Sequence, residues 1–274
     1  MKATLKSEWR KVTTTKLWWV LALVMFAYMA FLGAVLGFSF VQSPEQASAS
    51  AGGGGGMSGL EAAQATYTIG ASLGYVFPLI AGALAMTGEF RHQTITPSLL
   101  FQPKRSVLLG AKLLVNLAMG LLYGIVGTLG AIAGGAPLLG TIGEGLYLGN
   151  GEVLGNIFFS VIALAIWAVI GVGLGTFLPN QVAAIVVILA FTQFVEPILR
   201  VGLAAGGDAA DIAALSDAAK FLPGAAAEAL AGTSFYAASG LDLLARWAGA
   251  LVLVGYAAGF ALIGRFTTLR KDVT

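Results

Sequence analysis

The 274-residue chain has no cysteine and a single histidine, His92. Without cysteine there is no disulfide, no thiol nucleophile and no cysteine metal site. One histidine cannot build a histidine cluster, and any Ser–His dyad would depend on that one base. Charge is scarce as well. Only 10% of residues are Asp, Glu, Lys or Arg, where soluble domains carry about 25%. No Asn-x-Ser/Thr sequon occurs at Asn116, Asn150, Asn156 or Asn180. A Walker phosphate loop is missing, so the chain has no such route to ATP.

What the sequence has instead is apolar length. It is 58% hydrophobic, in six long runs at 17–41, 66–86, 107–133, 157–178, 181–201 and 244–264. A helix rises 1.5 Å per residue, so about 20 apolar residues cross a hydrocarbon core of ~30 Å. The runs predict six transmembrane helices in one membrane domain. Twelve of the fifteen Lys and Arg fall in segments on one side of these spans. The other side carries only Arg200, Lys220 and Arg246. The positive-inside rule then places both termini in the cytoplasm. No basic patch is joined to a recognition fold, which argues against a nucleic-acid partner.

Residues 1–16 read as a basic amphipathic helix lying in the membrane interface. Leu5, Trp9 and Val12 share one face. Trp18 and Trp19 mark the inner boundary of the first span. The segment 42–60, with five glycines in a row from Gly52 to Gly56, reads as a flexible outer linker. Between spans two and three the loop holds Pro97, Ser98, the apolar Ile95, Leu99, Leu100 and Phe101, and Pro103. Ser98 as cap and Pro103 as terminator predict short helices there, with the apolar residues presented for docking.

Leu178-Pro179-Asn180-Gln181 is a tight inner turn, and 134–156 is a glycine-rich outer loop. The outer segment 202–243 is too long for a plain loop. Ile212, Leu215, Ala219 and Leu222 recur at helical spacing, Pro223-Gly224 breaks the pattern, and 225–231 is again helix-prone. Two short amphipathic or re-entrant helices are expected. Within span five, Glu196 is followed by Pro197 and, one turn on, by Arg200. This reads as an i, i+4 ion pair or as a gating carboxylate. Small residues at i, i+4, such as Gly120 with Gly124 and Gly171 with Gly175, suit close helix packing.

The order Gly88-Glu89-Phe90-Arg91-His92-Gln93-Thr94-Ile95-Thr96-Pro97, then Pro103-Lys104-Arg105 and Ala111-Lys112, resembles the permease subunits of ABC-2-type ABC transporters, chiefly the bacterial exporter branch. Ser7-Glu8-Trp9-Arg10-Lys11 before Trp18-Trp19, Phe221-Leu222-Pro223-Gly224, and the tail Leu269-Arg270-Lys271-Asp272-Val273 are similar too.

The resemblance implies an all-α integral membrane fold in the bacterial inner or plasma membrane. It implies a coupling helix after span two and re-entrant helices before span six. It implies two cytoplasmic ABC ATPase subunits that bind ATP and Mg, so that no cofactor is bound here, and a second permease copy or paralogue. Glu89, Phe90, Arg91, His92, Thr94 and Ile95, with Glu8, Trp9 and Arg10, would then lie at or beside the ATPase contact. Glu196, Pro197, Pro223 and Gly224 would belong to the outer gate. The expected cargo is a hydrophobic or amphipathic molecule moved outward. The alternative is a non-transporting membrane anchor or assembly partner; an intramembrane enzyme is disfavoured, because no paired nucleophile and base are visible.

Overall fold

The computed structural model describes residues 1–42, 58–142, 145–210, 212–233 and 243–266. The five-glycine run and the tail 269–273 lie outside the described residues. In chain order the helices are α1 (Lys2–Thr14), α2 (Leu17–Gln42), α3 (Gly59–Tyr67), α4 (Val76–Arg91), α5 (Ile95–Phe101), α6 (Arg105–Leu139), α7 (Gly151–Phe177), α8 (Gln181–Ala190), α9 (Glu196–Ala210), α10 (Ala213–Lys220), α11 (Pro223–Ala231) and α12 (Arg246–Phe266). There is no strand among the described residues.

Six helical stretches are long and apolar enough to cross a membrane: Leu17–Phe40, Gly59–Arg91, Arg105–Leu139, Gly151–Phe177, Gln181–Gly207 and Arg246–Phe266. All six expected spans are present, and span two is longer at both ends than its apolar run. Its start is set by a capping box, in which Ser58 accepts from the Glu61 amide and Glu61 accepts from the Ser58 amide. Asn150 caps α7 with its side-chain oxygen, accepting from Glu152 N at 2.8 Å. The loop after span three is therefore shorter than 134–156, since α6 continues to Leu139 and α7 begins at Gly151.

Span three packs along span one, and span four packs against spans two, three and six. Backbones meet closely where small residues face one another. A Cβ added at Gly171 would strike Leu79 O, and one added at Gly175 would strike Ala83 O. Gly120 and Gly124 abut Ala165 and Val161 of α7 in the same way. These small-residue pairs serve packing inside the chain. Spans one, five and six turn large apolar side chains outward, among them Phe31, Phe194, Ile198, Trp247 and Leu251. In lipid such faces are at no disadvantage.

Two spans contain a wide π turn, Gly70–Gly74 in span two and Phe191–Val195 in span five. Both have a covalent cause. Proline has no N–H and its ring crowds the carbonyl four residues back. Pro78 stands four residues after Gly74, and Pro197 four after Gln193, so each crowded carbonyl lies inside a π turn. The helix absorbs the missing bond by widening.

The segment before span six forms the expected short helices. Ala219 is buried while Ile212 is exposed. Leu222 is extended and Pro223 opens α11. Gly232, at φ 85°, closes it in a left-handed conformation that glycine adopts without steric cost. Every residue of α11 is buried, packed against α7, α12 and the π turn of span two.

Candidate functional site

At the end of the bundle that carries α1, four charged groups form a closed ring. Lys11 Nζ lies 2.6 Å from Glu8 Oε1 and 2.6 Å from Glu89 Oε1. Lys112 Nζ lies 2.7 Å from Glu8 Oε2 and 2.9 Å from Glu89 Oε1. Glu8, Glu89 and Lys112 are buried, whereas 38% of the Lys11 side chain is exposed. Charges alternate around the ring, so each ion keeps two opposite neighbours in place of water. Burial works against the Lys11 charge, but the hydrogen bonds to Glu8 and Glu89 outweigh it and hold this ammonium above its ordinary range. The ring fastens α1 to the ends of spans two and three. Lys11 also donates to Ser98 Oγ of α5 at 3.0 Å, and Gln102 donates to Thr4 Oγ1 at 3.3 Å. Two short helices and two spans thus share one polar joint.

This joint sets which face of α1 meets the bundle. Thr4 and Glu8 are the buried residues, while Leu5 and Trp9 are exposed. The side toward the protein is polar because Lys112 and Glu89 wait there, and the apolar side is left for lipid. Val12 alone of the expected apolar face packs partly on the core.

The loop residues separate into two groups. Glu89 is in the ring, and Ile95 is buried with Met86, Leu108, Leu109 and Val172, with Phe90 packed alongside. Ile95 is therefore not presented outward. Arg91, His92 and Thr94 are exposed, with Arg91 donating to Gln181 Oε1 at 3.1 Å. Leu100 and Phe101 are 80% and 64% exposed at the tip of α5. Ser98 is not the cap of this helix. Thr94 is, and Ser98 lies in the helix, its hydroxyl donating to Thr94 O at 2.7 Å. The cap moves because Pro97 suits the first turn of a helix, where no N–H is required. Trp9 and Arg10 are exposed on α1.

A second cluster joins span five to α11. Arg200 sits 3.3 Å from Glu196 and 3.0 Å from Glu228. All three are buried. Glu196 Oε1 accepts from the Gly224 amide, and a Cβ at Gly224 would strike that same oxygen, so glycine is required for the approach. The Tyr75 hydroxyl is 3.3 Å from both Glu196 Oε2 and Thr192 O. Tyr75 follows the π turn of span two, and Thr192 lies in that of span five. The Tyr75 ring stacks on Trp167 of span four at 4.3 Å. Glu196, Gly224 and, through its helix start, Pro223 are brought together here. Pro197 follows Glu196 and shapes the turn before it.

Sequence reading missed Lys112, Glu228 and Tyr75. Lys112 and Glu228 carried one signal, a lone charge within an apolar or alanine-rich run. Gly70-Ala71-Ser72-Leu73-Gly74 fits the Gly-x-Ser-x-Gly pattern of a nucleophile elbow. It forms a π turn within a helical span, not a strand-to-helix turn, and the one histidine is exposed at the end of that span. No group of three His, Cys, Asp or Glu able to hold a metal exists among the described residues.

A cavity of about 480 Å³ lies beside the ring. Its apolar walls include Trp18, Leu21, Leu84, Met119 and Tyr123, and its polar lining includes the four ring residues, His92 and Asn116.

Six apolar spans around buried ion clusters define a multi-pass membrane protein. The chain belongs to the ABC-2 family transporter proteins, whose family model matches residues 3–273. No curated protein and no solved structure matches it. The family is a membrane component of transport, associated in general with ABC ATPase partners.

Proposed function

We propose that the chain is the permease subunit of an ATP-driven exporter that moves a hydrophobic or amphipathic substrate outward. ATP and Mg are bound by two separate cytoplasmic ATPase subunits, and a second permease copy or paralogue completes the channel. The observation that carries this reading is the Glu8–Lys11–Lys112–Glu89 ring with its bond to Ser98. A helix pushed from the cytoplasm moves spans only if it is fastened to them. Here α5 acts as the coupling helix and α1 as its brace, and both are tied to spans two and three.

The contact face is Arg91, His92 and Thr94 with Leu100 and Phe101, and Trp9 and Arg10 flank it on α1. Glu89, Phe90, Ile95 and Glu8 hold that face in place from beneath. At the other end, α11 is the re-entrant element of the outer gate. The Glu196–Arg200–Glu228 cluster is its latch, with Pro223 and Gly224 at the point of contact and Pro197 shaping the facing turn. Both termini are cytoplasmic in the bacterial inner or plasma membrane. Rocking of span bundles between two packed arrangements would alternate access.

The test is co-purification with an ABC ATPase, followed by substrate-stimulated ATP hydrolysis in proteoliposomes. The expected result is a stable complex whose stimulation is abolished by Leu100→Asp with Phe101→Asp. A complex that forms but neither transports nor responds to any amphipathic substrate would favour the anchor reading.

A further inference from the structure

The cavity at the ring has apolar walls and one polar end, the shape of a site for an amphiphile. Its volume of about 480 Å³ lies in the range of about 300–1,000 Å³ that holds drug-sized ligands. The polar end decides which amphiphile. An ammonium has three donor hydrogens. Those of Lys11 go to Glu8, Glu89 and Ser98; Lys112 donates to Glu8 and the Ala85 carbonyl and lies 2.9 Å from Glu89 Oε1 as an ion pair. Each ammonium already faces two carboxylates, so neither is a free cation for a phosphate or carboxylate head. Both oxygens of Glu8 are engaged. Glu89 Oε2 is different: it is buried and has no hydrogen-bond partner. A buried acceptor left alone costs about 1–3 kcal/mol or more, which an incoming donor relieves.

We infer that this cavity binds a lipophilic amine, with its ammonium on Glu89 and its apolar body against Trp18, Leu21, Met119 and Tyr123. Lys11, the most accessible member of the ring, is the group the ligand's ammonium competes with for the two carboxylates. Aromatic faces at Trp18 and Tyr123 suit a cation on its way in. Occupancy would loosen Lys11 and with it the link to Ser98 of α5, so the site reports to the coupling face. This last step rests on the transport reading; the binding itself does not.

The experiment uses the full-length protein in lipid nanodiscs without ATPase or ATP. Three chain-matched probes are titrated: 12-bromododecylamine, 12-bromododecanol and 12-bromododecanoate. Their bromine quenches nearby tryptophan. Saturable quenching above the linear partitioning background is expected for the amine and lost in Trp18→Phe. Glu89→Gln weakens amine binding by ~10-fold or more, the scale of a lost charge-assisted bond. Lys11→Ala tightens it, because a competitor is gone. Leu84→Trp, at a cavity-lining position that is not a member of the ring, fills the space, abolishes binding and covers the case in which Glu89→Gln fails to fold.

Saturable binding of dodecanoate in preference to the amine, or tighter binding in Glu89→Gln, overturns the inference. So does an amine response that Leu84→Trp leaves intact. None of these outcomes depends on transport. A bound amine with no transport in the ATPase complex would instead count against the exporter.

Discussion

The Lys112 ammonium sits 2.7 Å from Glu8 Oε2, although 104 positions separate the two residues. One belongs to the short helix α1 and the other to the third span. Their contact, closed into a ring by Lys11 and Glu89, makes α1 part of the bundle.

Removing Lys112 leaves two buried carboxylates with one partly exposed lysine between them. Lys112→Met is expected to cost about 3–5 kcal/mol, the usual penalty for breaking a buried ion pair from one side. Lys112→Met with Glu89→Leu should recover part of the loss. Thermal unfolding followed by tryptophan fluorescence in one detergent checks both, and equal stability of single mutant and wild type would dissolve the joint as an energetic unit.

The Arg200 cluster should be non-additive. Arg200→Leu takes the cation from two buried carboxylates, Glu196 and Glu228, whereas Arg200→Leu with Glu228→Leu takes it from only one. The coupling from a double-mutant cycle is expected at about 0.5–3 kcal/mol, with the double mutant less damaged than the sum. Strict additivity would mean that α11 is held by packing alone.

Glycines at the crossing of spans two and four should be intolerant, and those facing lipid tolerant. Gly171→Ala is expected to destabilise by about 1–3 kcal/mol, because its methyl meets Leu79 backbone. Gly255→Ala meets nothing within 4 Å, and should be neutral or stabilising by up to about 1 kcal/mol through helix propensity. Melting temperatures of the two variants, side by side, decide this.

Sidedness can be read from the absence of cysteine. His92→Cys and Glu152→Cys each introduce one reactive thiol at an exposed position, at opposite ends of the bundle. An impermeant maleimide added to intact cells should label Cys at 152 and spare Cys at 92 until the membrane is broken. The opposite pattern reverses the topology and removes the coupling role of α5.

The sequence alone determined the six crossings, the charge asymmetry between the two ends, the short helices before span six and the family. These are properties of run length, composition and local spacing, and lipid thickness converts run length directly into spans. Of the buried ion contacts, sequence reading found one, Glu196 with Arg200, because an i, i+4 pair lies on one helix face. Glu228 with Arg200, and Glu8 with Lys112, are set by how separate helices register, and no pattern along the chain encodes that. Tertiary structure also chose Thr4 and Glu8 as the face of α1 that meets the bundle and turned Ile95 inward. A buried charge must find its partner wherever the fold supplies one, and in an apolar medium that demand overrides the local pattern.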